Sequence, residues 1–308
     1  ENFILEISSH ALVQDRLNDL RFKISSFTNL SQDHLDFHLS MDEYYEAKRR
    51  LFTRDRTEFA IIFSSDWGIK LSKSLNIDFV TVGFSSKDFS SFEIINQKAN
   101  TTEGKLNIDG DTYDLRLPIS GPGILENFLI AITNAYFSSE PFSTTLDNIE
   151  KLTYPEGRYQ CITEGGIDII IDYAHTPKAL EELLKFSKKY YRKVTVVFGC
   201  GGNRDTTKRE FMGNSAQLAD GIILTSDNPR DENPEKIIEA ILKGISDKEM
   251  VSVVINRREA IEKAINEAEG GEVIVIAGRG HEHLQEIGGN FIKLKDIDVA
   301  NEVLEGQE

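Results

Sequence analysis

The chain has 308 residues, a formal net charge of −16 and 40% hydrophobic residues. Such acidity excludes a general nucleic-acid binder, whose electrostatic footprint is basic, and no apolar run reaches the roughly 20 residues that span a bilayer. Two cysteines, Cys161 and Cys200, are too few for a disulfide scaffold and read as free thiols in a reducing cytoplasm.

The first apolar run, Phe3–Ile7, reads as an interior strand with almost nothing before it. Left unpaired, it would be an aggregation hazard. The start has no basic region and no cleavage-site pattern, so no signal peptide is expected. Phe22–Phe27, Phe59–Phe63 and Phe79–Val82 read as strands, with a helix over Met41–Phe52. Short strands follow between Phe92 and Leu117, and the Asp109-Gly110 pair marks a hairpin turn. A helix is expected over Ile124–Phe137. Tyr154-Pro155-Glu156-Gly157-Arg158 reads as a linker, which divides the chain into domains 1–153 and 154–308.

The second half alternates more regularly. Ile167–Ile171, Val194–Phe198, Ile222–Leu224, Val251–Val254 and Val273–Ile276 read as strands with helices in the intervals. Alternation of this kind predicts βαβ units, a mostly parallel sheet and an α/β fold class. Asn233 should cap a helix with Pro234 at its first position.

Several clusters could carry chemistry. Ser9-His10 is not a nucleophile–base pair, because adjacent side chains do not face each other and no Gly-x-Ser-x-Gly elbow exists; Ser8 or Ser9 reads as a helix cap. His34 and His38 have metal-like spacing, but Leu35 stands where a zincin has Glu, so catalytic zinc is not expected. His34 with Glu6 could still serve a hard cation such as Mg2+, and His38 reads as structural.

Four loops follow strands in the second half: Asp172–Pro177, Gly199–Asp205, Thr225–Asn233 and Ala277–His283. If those strands are parallel, all four open at the carboxyl edge of the sheet, where open α/β sheets bind ligands. Arg204, Lys208, Arg209, Arg230 and Arg279 supply local positive charge there, while Arg257 and Arg258 read as surface arginines on a helix. Arg230 can grip a carboxylate through two parallel hydrogen bonds, and Asp227 and Asn228 can accept from an ammonium. No Gly-x-x-x-x-Gly-Lys-Ser/Thr phosphate loop occurs; Gly199-Cys200-Gly201-Gly202 lacks the Lys-Ser/Thr ending.

With these motifs in order, the chain resembles the Mur ligases, and among them the diaminopimelate-adding MurE type. The resemblance rests on Glu6–Leu12, Phe27–Leu30, Asp33–His38, Glu46–Phe52, Asp172–Pro177, residues 199–205, Asp227–Arg230 and Gly278–Glu282. It implies part of a central ATPase domain followed by a Rossmann-like C-terminal domain, and an ADP-forming amide ligation through an acyl phosphate. Glu6, His34 and a carbamylated Lys48 would hold Mg2+. Ser8, Arg16 and Lys48 would contact the UDP-N-acetylmuramoyl-dipeptide. Asn127, Asp172 and His175 would contact ATP, with Arg158 nearby at the domain junction. Arg204, Asp227, Asn228, Arg230, Gly278 and Glu282 would bind meso-diaminopimelate.

The family's phosphate loop and its uridine-binding domain have no counterpart in the sequence. The expectation is therefore a chain that begins inside the central domain and is inactive alone, with the missing N-terminal segment as a candidate partner chain. Ile124, Gln160 and Asn203 stand where many members have Asn, Glu and Asp. The competing readings are a non-catalytic amino-acid-binding or scaffold derivative, and a ligase adding lysine or extending folate with glutamate. Arg230 disfavours lysine, since losing one charge-assisted contact costs about 1.5–3 kcal/mol, more than roughly tenfold in selectivity.

Overall fold

The computed structural model describes residues 3–17, 19–31, 37–138 and 140–306. It divides into two compact units, Glu1–Leu152 and Thr153–Glu308. No helix among the described residues is long and apolar enough to cross a membrane.

The first unit opens with α1 (Ser9–Val13), β1 (Phe22–Phe27), α2 (Met41–Arg49), β2 (Thr57–Phe63), α3 (Asp66–Ser72) and β3 (Asp78–Gly83). It continues with β4 (Ser90–Gln97), β5 (Thr102–Ile108), β6 (Asp111–Leu117), α4 (Ile124–Tyr136) and α5 (Phe142–Asp147). Its sheet runs β1-β2-β3-β4-β5-β6, parallel from β1 to β4 and antiparallel from β4 to β6. The turn between β5 and β6 places both Asp109 (φ 50°) and Gly110 (φ 87°) in the left-handed region. A two-residue hairpin turn whose twist matches the strands needs that conformation at both positions.

Two expectations change here. Residues 3–8 form no strand, and Phe3 (92%) and Ile4 (100%) are fully exposed. A short apolar run becomes a strand only where a neighbouring strand accepts its hydrogen bonds, and among the described residues this run has no such partner. Helix α2 also stops at Arg49 rather than Phe52, because Leu51 and Phe52 donate three residues back, to the Lys48 and Arg49 carbonyls (3.2 and 2.9 Å). That tighter turn ends the helix and still buries both side chains in the core beside Tyr45 and Phe27.

The second unit contains β7 (Gln160–Glu164), β8 (Ile167–Asp172), α6 (Pro177–Tyr190), β9 (Lys193–Phe198), α7 (Lys208–Ala216), β10 (Gly221–Leu224) and α8 (Pro234–Leu242). β11 (Val251–Val253), α9 (Arg257–Asn266), β12 (Glu272–Ala277), β13 (Leu284–Ile287), β14 (Asn290–Lys293) and α10 (Asp296–Glu305) complete it. The six-stranded sheet runs β11-β10-β9-β12-β8-β7, parallel except for β7. β13 and β14 form a separate hairpin.

β12 is buried at every position, which suits a central parallel strand covered on both faces. Ile274 and Ile276 pack with Ile261 of α9 and Val299 of α10. Side-chain caps fix where helices begin. Thr176 accepts from the Ala179 amide ahead of Pro177, and Asn233 accepts from Glu235 and Lys236 ahead of Pro234. These caps also fix where the preceding loops end, and so the positions of the candidate side chains.

The two cysteines are both free. Burial pushes the Cys161 thiol up to about 11 and the Cys200 thiol up to about 12. Since the thiolate is the nucleophile, iodoacetamide at pH 8 should alkylate neither in the native chain over a time that labels both after unfolding. Fast native labelling of Cys200, seen by mass spectrometry, would mean that the loop around it opens.

Candidate functional site

Strands β10, β9, β12 and β8 are consecutive neighbours and mutually parallel. Their four following loops therefore lie along one edge of the sheet, as the alternation of elements predicts. Each loop contributes a distinct group.

After β8, both oxygens of Asp172 accept backbone amides, from Tyr159 and Ala174, each at 2.7 Å. Burial raises this carboxyl above its ordinary value, although those two amides and Arg158 oppose the shift. The Arg158 guanidinium lies 4.4 Å from the Tyr173 ring centroid. His175 and His281 pack on the same ring at 4.7 and 5.3 Å. His175 Nδ1 donates to the Tyr173 carbonyl at 2.9 Å, since a carbonyl can only accept. Arg158, Asp172 and His175 thus come together. The contact depends on Gly157, where a Cβ would stand 2.1 Å from the His281 amide nitrogen.

After β9, the glycine-rich loop lies against the loop after β10. A Cβ on Gly199 would stand 2.1 Å from the Thr225 carbonyl oxygen, and one on Gly202 would stand 2.0 Å from that of Pro229. Arg204 is exposed beside Gly201. Arg209 is not available to a ligand, contrary to the sequence expectation. It is buried and grips both oxygens of Glu232 at 2.9 Å. Arg209 and the Asn203 amide hold the Glu232 carboxyl below its usual range, against partial burial. The pair fastens the glycine-rich loop to the segment after Arg230.

After β10 and β12, the remaining candidates form one hydrogen-bonded cluster. Asn228 donates to Glu282 at 2.7 Å and accepts from the Glu286 amide at 2.9 Å. A Cβ on Gly278, whose φ is 109°, would meet the Asp227 carboxylate at 2.7 Å. Arg230 donates from Nη1 to the Gly202 carbonyl at 2.7 Å, and its Nε lies 3.1 Å from a Glu286 oxygen. The structure thus brings Asp227, Asn228, Arg230, Gly278 and Glu282 together.

Two participants were missed in the sequence. Buried Gln285 donates to the Asp227 and Ser226 carbonyls (2.5 and 3.3 Å), and Glu286 pairs with Arg230. Neither lies in a motif, and no local signal marks them.

Beneath this cluster lies a charged core. Arg257 is not a surface residue: it is 1% exposed and bonds both oxygens of buried Asp296 at 2.9 and 2.8 Å. Arg279, also fully buried, donates to the Leu294 carbonyl at 3.0 Å and lies 3.6 Å from Asp296 and from Glu282. Burial and the neighbouring Arg257 pull the Arg279 guanidinium below its ordinary value. Arg257 and Arg279 therefore serve the scaffold, and of the cations expected at the edge Arg204, Lys208 and Arg230 are left partly or fully exposed.

In the first unit, Ser8 caps α1 by accepting from the Ala11 amide at 3.2 Å. Glu6 and Arg16 are exposed. Asn127 is exposed in the first turn of α4. Lys48 lies on α2 with its ammonium 5.2 Å from the Tyr44 ring centroid. His38 is buried, 2.9 Å from Ser9 Oγ and stacked on Tyr44, which fits its expected structural role. His34 lies outside the described residues. Among the described residues no group of three or more His, Cys, Asp or Glu side chains is placed to hold a metal ion.

Comparison with known proteins fits this geometry. Residues 1–135 match the Mur ligase middle domain and residues 157–280 match the Mur ligase glutamate ligase domain. The chain belongs to the Mur ligase family. It is 41% identical over 312 residues to the UDP-N-acetylmuramoyl-L-alanyl-D-glutamate–2,6-diaminopimelate ligase of Aquifex aeolicus, covering 99% of this chain and 64% of that protein. The enzyme of the same name from Thermosynechococcus vestitus is 37% identical, with 98% and 62% covered. A solved 2,6-diaminopimelate ligase matches with a TM-score of 0.62 and 33% identity, over 98% of this chain and 64% of that one. A Thermotoga maritima MurF ligase in complex with ADP shares the fold alone, at a TM-score of 0.69 and 13% identity, over 95% and 64%. The chain thus spans just under two thirds of the length of these relatives.

Proposed function

We propose that this Mur ligase adds meso-diaminopimelate to UDP-N-acetylmuramoyl-L-alanyl-D-glutamate in peptidoglycan synthesis, with ATP converted to ADP. In this reaction ATP phosphorylates the D-glutamyl carboxylate. The amine attacks the acyl phosphate carbonyl, loses its proton, and the tetrahedral intermediate expels phosphate to leave an amide. The observation that carries the proposal is Arg230, anchored to Gly202 and Glu286 in the loop cluster that also holds Asp227, Asn228 and Glu282. A zwitterionic end of diaminopimelate places a carboxylate against a guanidinium and an ammonium against carboxylates, which is the pattern these side chains offer. The names of the relatives support the same amino acid.

The remaining roles follow the resemblance. Arg204, Gly278 and Glu282 complete the amino-acid site. Asn127, Arg158, Asp172 and His175 serve ATP. Ser8, Arg16 and Lys48 serve the nucleotide-linked substrate. Mg2+ would neutralise phosphate charge during transfer, and Glu6, His34 and a carbamylated Lys48 would hold it.

Nuclear magnetic resonance titration of the chain tests the amino-acid assignment. Meso-diaminopimelate should bind more than about tenfold tighter than L-lysine, and Arg230→Ala should abolish that preference. A preference that survives the substitution would sink the assignment. On the full-length protein, phosphate release should require ATP, the UDP-linked dipeptide and meso-diaminopimelate together. Binding without such release would favour the non-catalytic scaffold reading.

A further inference from the structure

Arg230 does not face the ligand site alone. Its Nε lies 3.1 Å from a Glu286 oxygen, with the two side chains 22% and 31% exposed. The main chains are joined as well: Arg230 donates to the Glu286 carbonyl at 3.0 Å, and Gly288 donates to the Arg230 carbonyl at 2.7 Å. The Glu286 amide is in turn held by Asn228 Oδ1 at 2.9 Å. Arg230 has a φ of 51°, a left-handed backbone that side-chain-bearing residues keep only where their surroundings over-determine it. Both residues are therefore fixed by backbone bonds that do not depend on the side-chain ion pair.

We propose that Glu286 is a specificity-determining residue of the amino-acid site, a carboxylate masked by Arg230 that would otherwise recognise a side-chain ammonium such as that of L-lysine. This rests on the reading of the 227–230 loop as the diaminopimelate site. Asp227 and Glu282 already supply two carboxylates there, so the sign of the distal end is set by whether Arg230 covers the third. With Arg230 in place, a ligand carboxylate is attracted and a lone ammonium is repelled. Without it, Glu286 stays in position and attracts the ammonium, so the preference for a carboxylate is lost. Glu286 also occupies the Nε side of the guanidinium while Nη1 serves Gly202. A ligand carboxylate must then approach the terminal nitrogens, and the competing carboxylate weakens its hold.

The test is a double-mutant cycle read by the same titration with meso-diaminopimelate and L-lysine on wild-type chain, R230A, E286Q and R230A/E286Q. Alanine keeps a Cβ at position 230 and adds no backbone strain beyond what arginine bears. For partly exposed charges at this distance, R230A should tighten L-lysine binding about fivefold and E286Q should tighten meso-diaminopimelate about threefold. The double variant should return L-lysine to its wild-type affinity. A merely structural role for Glu286 would weaken both ligands in E286Q, which overturns the proposal. So does an L-lysine gain in R230A that persists in the double variant, or no gain at all. If wild-type chain binds no meso-diaminopimelate, the functional reading falls together with this one; normal wild-type binding without the lysine response removes Glu286 alone.

Discussion

Asp296→Asn is expected to destabilise the second unit by about 3–5 kcal/mol, the range for removing one partner of a buried ion pair. Asp296 is fully buried and lies within ion-pair distance of two fully buried arginines, Arg257 and Arg279. It accepts two hydrogen bonds from Arg257. Arg257 Nη1 and the Nε and Nη1 of Arg279 already have no hydrogen-bond partner. Asparagine keeps the volume but leaves the buried Arg257 guanidinium uncompensated and Arg279 with Glu282 alone. It also turns one accepting oxygen into an amide donor that faces an arginine donor.

A unit of this size loses about 2–4 °C in Tm per kcal/mol, so thermal unfolding should move down by roughly 10 °C. Adding Arg257→Met to Asp296→Asn removes one orphaned charge and should recover part of the loss. A change below about 1 kcal/mol would mean that water reaches this core and screens it. The partner of Arg257 also ties α9 to the start of α10, so the loss should appear in the global transition and not as local fraying.

What was legible in the sequence follows a physical pattern. Continuous β-branched runs such as Val273–Ile276 announce central parallel strands because both faces must be apolar. Once the strands are parallel, the loops after β8, β9, β10 and β12 must share an edge, so Asp172, Gly202, Arg230 and Gly278 could be grouped without coordinates. Asn233 and Pro234 carry their own capping chemistry and marked the start of α8.

Pairings across the fold were not legible. Asp296 is 39 residues from Arg257, and nothing in local spacing separates a buried arginine from one on a surface helix. Arg209 looked like a ligand-facing cation because Glu232 belongs to a different loop. Gln285 and Glu286 lie 58 residues from Asp227 and Asn228, on a hairpin outside the main sheet that alternation cannot place. The run Phe3–Ile7 shows the converse error: apolar composition suggested a strand, but strand formation needs a partner that composition does not reveal.

Gly202→Ala should weaken meso-diaminopimelate binding by about tenfold to a hundredfold, because displacements of about 1 Å at a positioned site have effects of that order. Gly202 is not in the left-handed region, so conformation is not the reason it matters. Its amide donates to the Asn228 carbonyl at 2.9 Å, and its own carbonyl accepts from Arg230 at 2.7 Å. An alanine Cβ would stand 2.0 Å from the Pro229 carbonyl oxygen and 2.8 Å from its carbon.

Because the obstacle is backbone, one loop must move away from the other, and Arg230 must lose its anchor or move with it. The accompanying strain should destabilise the unit by about 1–3 kcal/mol, as for other overpacked positions. Gly270→Ala is the control, since a Cβ there meets nothing within 4 Å; it should leave the titration unchanged. Wild-type affinity in Gly202→Ala would show that the contact between the two loops does not position Arg230. Weakened binding in a chain that remains folded would locate the defect in the distance between the glycine-rich loop and the arginine loop, the one dimension that the added methyl group changes.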